Sequence, residues 1–226
     1  MRNLVFADNE FYHIYNRGTD KRSIFSDRKD LHRFFLSMQE FNTIEPIGSI
    51  YEESFNKANK NKDSEKLIEF IAYCLNPNHY HFILKQISDR GIAKFMHRLG
   101  TGYTKYFNEK NVRGGSLFQG KFKASHIASN EYLLHASAYV NLNFKIHHLK
   151  KESLHHSSWS EYEKNSPGIC SKEIILEQFK SIEKYKKFAE DSVAITLKRR
   201  GDIVLELENI KENKDLEAEL PSLLKL

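Results

Sequence analysis

The feature that most constrains the fold is a pair of short apolar runs separated by turn-forming residues. Phe70–Leu75 and Phe82–Leu84 have the composition of strands, and Asn76-Pro77-Asn78 between them is typical of a tight turn. The pattern predicts two antiparallel strands joined in a hairpin. A sheet is therefore expected at the centre of the fold.

Two histidines lie one residue apart at the start of the second predicted strand, in CLNPNHYHFIL at residues 74–84. Because residues i and i+2 of a strand point to the same face, His79 and His81 should project side by side, with Tyr80 on the opposite face. Two parallel imidazoles can hydrogen-bond to polar neighbours or bind one metal ion. The spacing alone leaves both interpretations open.

The remaining periodicity predicts helices and strands on both sides of this hairpin. The order is strand, helix, strand, strand, helix, strand, with the flanking elements at Phe11–Asn16, from Ser26-Asp27 to about Phe41, at Gly91–Asn108 and within Ser116–Ile127. This order is that of a ferredoxin-like α+β sandwich, whose helices cover one face of the sheet. A third helix, expected from Ser129 to about Asn143, is available to cover the second face.

Charge is distributed unevenly along the chain. Residues 202–226, expected to form an acidic helix or tail, hold seven acidic residues and three lysines, a net charge of −4. Because the whole chain carries +5, residues 1–201 carry +9. A basic body of this kind favours a nucleic-acid partner.

Two further segments have a predicted structure. Lys172–Asp191 is predicted to form an amphipathic helix, and residues 56–66 are predicted to form a polar loop.

Composition limits the class of protein. A chain of 226 residues with 40% hydrophobic content can form one domain with additions. Only two cysteines, Cys74 and Cys170, are present, which argues against a disulfide scaffold. No apolar stretch is long enough to cross a membrane and the N-terminal residues lack a signal-peptide core, so we expect a soluble, cytoplasmic protein without a membrane partner.

A candidate reactive group lies in YLLHASAYVNLNFK, at residues 132–145. On a helix, Tyr139 and Asn143 lie one turn apart on the same face. With His79 and His81, the Asn143 carbonyl oxygen would make three ligands for Mg²⁺ or Mn²⁺. Such an ion would polarise a scissile phosphate, and attack of the Tyr139 phenolate on phosphorus would leave a 5′-phosphotyrosine and a free 3′-hydroxyl.

Several stretches resemble one protein family. CLNPNHYHFIL resembles the His-hydrophobe-His signature of the HUH single-strand DNA nucleases and transposases. Over residues 10–190 the chain is similar to the branch called REP-associated tyrosine transposases, relatives of the insertion-sequence transposases that use a single tyrosine. The matching stretches are YHIYNRG at 12–18, KFMHRLGTGYTKYFNEK at 94–110, GSLFQGKFK at 115–123, AYVNLN at 138–143 and SSWSEY at 157–162.

The resemblance implies a domain organisation and an activity. It implies an HUH transposase domain over residues 1–150, a packed helical extension over 151–201 and the acidic tail over 202–226. It further implies that the protein cleaves and rejoins single-stranded or hairpin DNA at palindromic chromosomal repeats, with Tyr139 as the nucleophile and a bound Mg²⁺ or Mn²⁺. No small-molecule substrate is expected, and a monomer is favoured over a dimer.

The chain departs from the family pattern at three places. Tyr80 stands where the family commonly has an aliphatic residue, Phe144 stands where proline is common, and residues 47–66 are an insertion. Tyr80 therefore needs more room on its face of the sheet, and the end of the tyrosine helix is expected to differ. None of these departures removes a proposed reacting group.

Two segments are expected to contact DNA. Residues 113–123 interleave aromatic and basic residues, the mixture that base stacking and phosphate pairing need; the alternative is a strand with inward aromatics and solvated lysines. In residues 16–18, the glycine permits the protein backbone to approach DNA closely, and the arginine can read a guanine edge. The alternative is a turn at the end of a strand, where Arg-Gly is common. The candidate DNA-binding residues are Asn16, Arg17, Gly18, Arg113, Phe118, Gln119, Lys121 and Lys123.

Other interpretations of the same residues stay open. Tyr132 lies on nearly the same helix face as Tyr139, so a mechanism with two tyrosines is conceivable, and His135 is either a neighbour of the site or a packing residue. The alternative functions are a catalytically idle DNA-hairpin-binding protein and a ferredoxin-like RNA-binding module. The acidic tail is hypothesised to fold back and shield a basic DNA groove.

Overall fold

The computed structural model describes residues 4–50, 65–150 and 153–210, with side chains through residue 199. Most of the predicted polar loop at 56–66 and the last part of the acidic tail lie outside these ranges. Within them, no helix combines the length and the apolar character that crossing a bilayer requires.

A five-stranded antiparallel sheet forms the centre of the molecule. Its strands are β1 (Phe11–Arg17), β2 (Ile68–Asn76), β3 (His79–Gln86), β4 (Lys123–Ile127) and β5 (His156–Ser157). They are ordered β4-β1-β3-β2-β5. The first four strands have the order of a ferredoxin-like sheet, so the predicted fold class is confirmed, and β5 adds a short edge beside β2.

Seven α-helices surround the sheet in the described part of the chain. They are α1 (Arg28–Glu40), α2 (Gly91–Lys110), α3 (Asn130–Asn141), α4 (Asn143–Ile146), α5 (Trp159–Glu163), α6 (Glu173–Leu176) and α7 (Ile182–Ile210). Asp27 caps α1 by accepting the Asp30 N–H at 2.9 Å, and Ser129 caps α3 by accepting the Tyr132 N–H at 3.1 Å. Both starts were predicted from these capping residues.

The helices cover both faces of the sheet. On one face α1 and α2 enclose an apolar cluster, in which Phe34 contacts Tyr80 and Phe82. On the other face α3 packs directly on β2, β3 and β4, and α7 packs behind α3. The third helix therefore covers the second face, as predicted.

Apart from the end of α3, two predicted elements differ in the structure. The strand predicted within Ser116–Ile127 is confined to β4, because Leu117 and Phe118 are buried and Gly115 and Gly120 adopt positive φ, so the preceding segment is a loop. The single helix predicted over Lys172–Asp191 is divided into α6 and α7, because Ser181 caps a new helix by accepting the Lys184 N–H at 3.3 Å.

Candidate active site

The alternation of β3 separates the His-Tyr-His residues between the two faces of the sheet. Tyr80 enters the apolar cluster, where its ring stacks on Phe82 with centroids 4.6 Å apart. His79 and His81 project to the face covered by α3, with ring centroids 5.3 Å apart and planes nearly perpendicular. The two imidazoles therefore lie side by side on one face, as the sequence predicted.

Hydrogen bonds fix which nitrogen of His79 carries the proton. The Asn78 amide nitrogen donates to the Lys21 carbonyl at 3.2 Å, which turns the Asn78 Oδ1 atom toward His79 Nδ1 at 2.6 Å. Because that oxygen can only accept, Nδ1 carries the hydrogen and Nε2 of the neutral ring keeps its lone pair. An imidazole in this tautomer can bind a metal ion through Nε2.

The lone pairs of His79 and Asn143 point toward the same place. His79 Nε2 lies 3.3 Å from Asn143 Oδ1, and the Asn76 amide nitrogen donates to both atoms, at 2.9 and 2.8 Å. Two acceptor atoms at this separation are spaced like neighbouring ligands of one small cation. The Asn143 Nδ2 atom is buried without a hydrogen-bond partner, so the polar contacts of this amide are made by its oxygen. An ion held by His79, Asn143 and the adjacent His81 would take the place of the Asn76 amide hydrogens on the first two residues, so the donor set fits a divalent ion once Asn76 releases these atoms.

Asn143 reaches this position by a route that the sequence did not predict. The expected continuous helix through Asn143 is wrong, because α3 ends at Asn141 and Leu142 leaves the helical conformation, with φ −108° and ψ 16°. Asn143 begins the short helix α4 and is fully buried. Its side chain lies at the end of the β2–β3 hairpin, where Oδ1 accepts from the Asn76 amide nitrogen.

Tyr139 lies on α3 with its ring against the histidines. Its centroid is 5.6 Å from the His81 ring and 6.0 Å from the His13 ring, and both contacts are edge-on. Tyr132, one of the two candidate tyrosines, is half-buried on the same helix, and burial raises its pKa, with further contributions from Tyr15 and Tyr139. A raised pKa disfavours the phenolate that a nucleophile needs. Tyr139 is the stronger candidate because its ring contacts both His81 and His13.

His13 belongs to this constellation and was missed from the sequence. Its Nε2 atom lies 2.9 Å from His81 Nδ1, and the two rings stack at 5.1 Å. Burial lowers the pKa of His13 to about 4, so the ring is neutral at physiological pH. The alternation of FYHIYN places His13 on the same strand face as Tyr15, a signal that identifies it once β1 is known to pair with β3.

Cys74, opposite His81 in the β2–β3 register, is not a thiolate ligand. Burial raises the pKa of its thiol to about 12, and the S–H donates to Asn76 Oδ1 at 3.4 Å. Among the described residues, no group of three or more His, Cys, Asp or Glu side chains is arranged to bind a metal. A metal at this site therefore depends on the amide oxygen of Asn143 as its third protein ligand.

The C-terminal end of α3 is held from two sides. Asn141 is fully buried; its amide nitrogen donates to the Tyr185 hydroxyl of α7 at 2.8 Å, and its oxygen accepts from the Ser158 hydroxyl at 2.5 Å. Ser158 in turn accepts the Tyr73 N–H of β2 at 2.8 Å. The SSWSEY segment therefore fixes the helix that carries Tyr139 against the sheet that carries the histidines.

The structure brings the two candidate DNA-binding segments together at one end of β1. The Asn16 amide nitrogen donates to the Gly120 carbonyl at 3.2 Å, and the Arg17 guanidinium donates to the Gln119 side chain. Gly18 lies against Arg22, where a Cβ would be only 2.2 Å from a carbonyl oxygen, so glycine is required there.

These candidates differ in exposure. Gln119, Lys121 and Lys123 are exposed, and Arg113 is half-buried while donating to Asn108 Oδ1 at 2.6 Å. Phe118 is 7% exposed and packs edge-on against Tyr80, so its ring lies in the core rather than on the surface available to bases. Among the candidates in this segment, the exposed side chains are therefore the amide of Gln119 and the two lysines.

A shallow cavity of about 290 Å³ opens beside His79. Lys21, Ser23 and His147 contribute to its wall, and the His147 ring lies 4.5 Å from the His79 ring. This contact was not predicted, because adjacent histidines 147 and 148 follow a helix end without ligand spacing. His135 instead faces α7, where it lies 3.2 Å from the Ser192 hydroxyl, and is outside the site.

Comparison with known proteins agrees with this architecture. A solved structure of a REP-associated tyrosine transposase bound to a REP hairpin is similar to the chain, with a TM-score of 0.50 and 13% identity, over 74% of this chain and 88% of that chain. At this identity the likeness concerns the fold. No curated protein matches the chain significantly in sequence.

The family follows from a second comparison. A sequence profile described as "Transposase IS200 like" matches residues 11–143, more than half of the chain. This range runs from β1 through the hairpin histidines to Tyr139 and Asn143. The chain therefore belongs to the IS200-like transposase family, as the resemblance predicted.

Proposed function

We propose that the protein cleaves and rejoins single-stranded DNA beside a hairpin, with Tyr139 as the nucleophile and a divalent ion held by His79, His81 and Asn143. The observation that carries the proposal is the clustering of four side chains from two distant parts of the sequence. His79 and His81 come from β3, whereas the Tyr139 ring and the buried Asn143 amide oxygen come from the α3–α4 segment. This set combines a nucleophile with metal-binding atoms, which a protein that only binds DNA does not need.

Tyr139 supplies the nucleophile in the proposed reaction. Its hydroxyl gives up a proton and its oxygen forms a bond to phosphorus, while the bond from phosphorus to the 3′ oxygen breaks and that oxygen takes up a proton to become a 3′-hydroxyl. The phosphotyrosine ester retains the bond energy, so a second 3′-hydroxyl can reverse the step and rejoin a strand. When bound, Mg²⁺ or Mn²⁺ supplies Lewis-acid polarisation of the scissile phosphate and neutralises developing charge.

The surface around the site suits a DNA strand. Arg17, Lys121 and Lys123 are exposed near one end of β1, and cations in such positions neutralise phosphates with little sequence preference. The cavity beside His79 adds a further cation near the site, because Lys21 lies in its wall. A hairpin ligand is proposed from the similar solved transposase, and palindromic repeats are the proposed targets.

The RNA-binding alternative is disfavoured by the coverage of the sheet. A ferredoxin-like RNA-binding module stacks bases on aromatic residues of an open sheet face. Here α1 and α2 cover one face and α3 covers the other in the described part of the chain. Competition by single-stranded RNA of the same sequence is therefore expected to be weak.

The test uses a labelled DNA hairpin with single-stranded flanks, incubated with the full chain with and without Mn²⁺. We expect a covalent protein–DNA adduct that requires the ion and is resistant to denaturing electrophoresis. Tyr139→Phe should abolish the adduct while retaining hairpin affinity, because only the reacting oxygen is removed. His79→Ala should reduce the rate of adduct formation by at least about 100-fold, the scale on which transition-state charge stabilisation acts.

Tyr132→Phe is the matched control, since it removes a hydroxyl from the same helix. It should form the adduct at close to the parent rate. An adduct that persists in Tyr139→Phe and disappears in Tyr132→Phe would overturn the assignment of the nucleophile. Hairpin binding without any adduct in the parent would support the catalytically idle binder instead.

A further inference from the structure

We propose that His13 is a positioning residue that fixes the tautomer of His81, leaving the His81 Nε2 atom as the lone-pair nitrogen that a divalent ion requires. The inference rests on the metal site proposed above and assigns a role to a residue outside the ligand set. It starts from a polar contact that joins a histidine of β1 to a histidine of β3.

The contact between the two rings is set by the sheet. His13 and His81 lie on adjacent antiparallel strands, with His13 opposite Ile83 and His81 opposite Tyr15. Their rings stack at 5.1 Å with planes 18° apart, and His13 Nε2 lies 2.9 Å from His81 Nδ1. A hydrogen bond of this length contains one proton, which belongs to one of the two rings.

The position of that proton decides whether His81 can bind a metal through Nε2. If His13 donates, His81 Nδ1 is the acceptor, and the neutral His81 ring carries its hydrogen on Nε2. If His81 donates from Nδ1, its Nε2 keeps the lone pair. A histidine that binds a metal through one ring nitrogen generally donates the N–H of its other ring nitrogen to a fixed acceptor. Donation by His81 from Nδ1 corresponds to this arrangement.

One observation favours donation by His81. His79 shows the same arrangement on the same strand face, with Nδ1 donating to Asn78 Oδ1 and Nε2 left as an acceptor. When His81 donates, His13 Nε2 is the acceptor, and the neutral His13 ring carries its own hydrogen on Nδ1.

The Asn78 and His13 acceptors would therefore act as a pair, one for each ligand histidine. Loss of such an acceptor typically weakens metal binding about 10–100-fold. His13→Leu removes the acceptor, whereas His13→Gln keeps an oxygen that can accept from His81 Nδ1. His126→Leu, on the neighbouring strand β4 and exposed, is the matched control.

The decisive measurement is the ¹⁵N imidazole spectrum of metal-free protein at about pH 8, where unperturbed histidines are neutral. The His81 signals are assigned by their loss in His81→Gln. We expect a protonated Nδ1 and an unprotonated Nε2 for His81 in the parent and in His13→Gln. In His13→Leu the Nε2–H form should become substantially populated. A parent spectrum with the hydrogen on His81 Nε2 overturns the proposal, and this result requires only that the assigning variant His81→Gln folds.

Calorimetric titration with Mn²⁺ gives the second readout. Affinity should fall about 10–100-fold in His13→Leu, less in His13→Gln, and not at all in His126→Leu. Unchanged Mn²⁺ affinity in a folded His13→Leu variant would overturn the positioning role.

The two proposals fail in different ways. A parent that binds Mn²⁺ and forms the DNA adduct, but carries the hydrogen on His81 Nε2, contradicts this inference alone. A parent with the expected tautomer that forms no adduct contradicts the proposed function and leaves the tautomer assignment standing.

Discussion

The two faces of β1 and β3 are built from alternate residues of the same strands, yet they are different environments. One face contributes Tyr12, Ile14, Tyr80 and Phe82 to an apolar cluster under α1 and α2. The other contributes His13, Tyr15, His79 and His81 to a polar group under α3. A shift of one residue in the register would exchange the two sets.

The comparison teaches that the two faces depend on their residues in different ways. On the apolar face the contribution of a side chain follows the volume and area that it buries, so a residue of similar size can replace another. On the polar face the contribution depends on which atom donates and which accepts, as at His79 Nδ1 and Nε2. The proposed chemistry is therefore confined to one side of the sheet, whereas buried apolar clusters lie on both sides.

The largest expected effect comes from truncating the apolar side. Phe82 is fully buried between Phe70 and Tyr80, so Phe82→Ala should lower the free energy of unfolding by about 3–5 kcal/mol. His81→Ala, one residue earlier on the same strand, removes less apolar packing and should cost less stability while abolishing Mn²⁺ binding. Urea denaturation and calorimetric titration of both variants measure the two effects.

A particular result would break this separation of the two faces. If His81→Ala destabilised the protein as much as Phe82→Ala, the polar face would be part of the stabilising core. Retained Mn²⁺ binding in His81→Ala would remove that residue from the ligand set.

The assignment of alternate residues to the two faces of the sheet could be predicted from the sequence, because it requires only the two-residue period of a strand. His79, His81 and Tyr80 were assigned to their faces in this way. His13 could not be assigned to the site, because its partner is 68 residues away and the pairing of β1 with β3 is a tertiary feature. Asn76 was interpreted as a turn residue, and nothing in its local sequence indicates that its amide reaches Asn143.

The second expected effect tests how the polar face is held in place. Asn141→Ala removes the hydrogen bonds to Ser158 and Tyr185, leaving buried polar groups unpaired, so we expect a loss of about 1–3 kcal/mol in unfolding free energy. Because Asn141 lies between Tyr139 and Asn143, the rate of adduct formation should fall as well. Chemical denaturation and the DNA adduct assay measure the two losses.

Asn130→Ala provides the control for this variant. Asn130 begins the same helix but is exposed, with a hydrogen bond to the Gln178 side chain at 2.6 Å. Its replacement should change stability by no more than about 0.5 kcal/mol and leave the adduct rate unchanged. A parent-like adduct rate in Asn141→Ala would mean that the end of α3 does not position Tyr139.

This region also marks the limit of prediction from helical periodicity. The spacing of Tyr139 and Asn143 indicated that both residues approach the histidines, and both do. The reason given, one continuous helix, was wrong, because the amide of Asn141 is bound from two directions and the chain turns at Leu142. Periodicity indicates which residues share a face, but the partners of Asn141 come from distant parts of the chain, here Ser158 between β5 and α5 and Tyr185 of α7.

The smallest expected effect concerns a histidine on the apolar side. The His156 ring packs edge-on against Phe35 at 4.9 Å, and its Nε2 lies 3.0 Å from the Tyr73 hydroxyl. Burial lowers the pKa of His156, an effect that the neighbouring Glu161 opposes and His155 reinforces. The unfolded chain therefore binds a proton at this position more readily than the folded protein does, so stability is lost as the pH falls below about 6.5, the pKa of an unperturbed histidine.

His156→Phe should therefore flatten this part of the pH dependence. The phenyl ring keeps the packing against Phe35, and the Tyr73 hydroxyl retains its hydrogen bond to Glu161 at 3.0 Å. Thermal denaturation between about pH 7 and pH 5 should give a smaller decrease in Tm for the variant than for the parent. His97→Gln, on the exposed side of α2, should retain the parent slope. If His156→Phe also retained it, the acid sensitivity would have to be assigned to other groups, first to His13 and His155, whose pKa values are also lowered by burial.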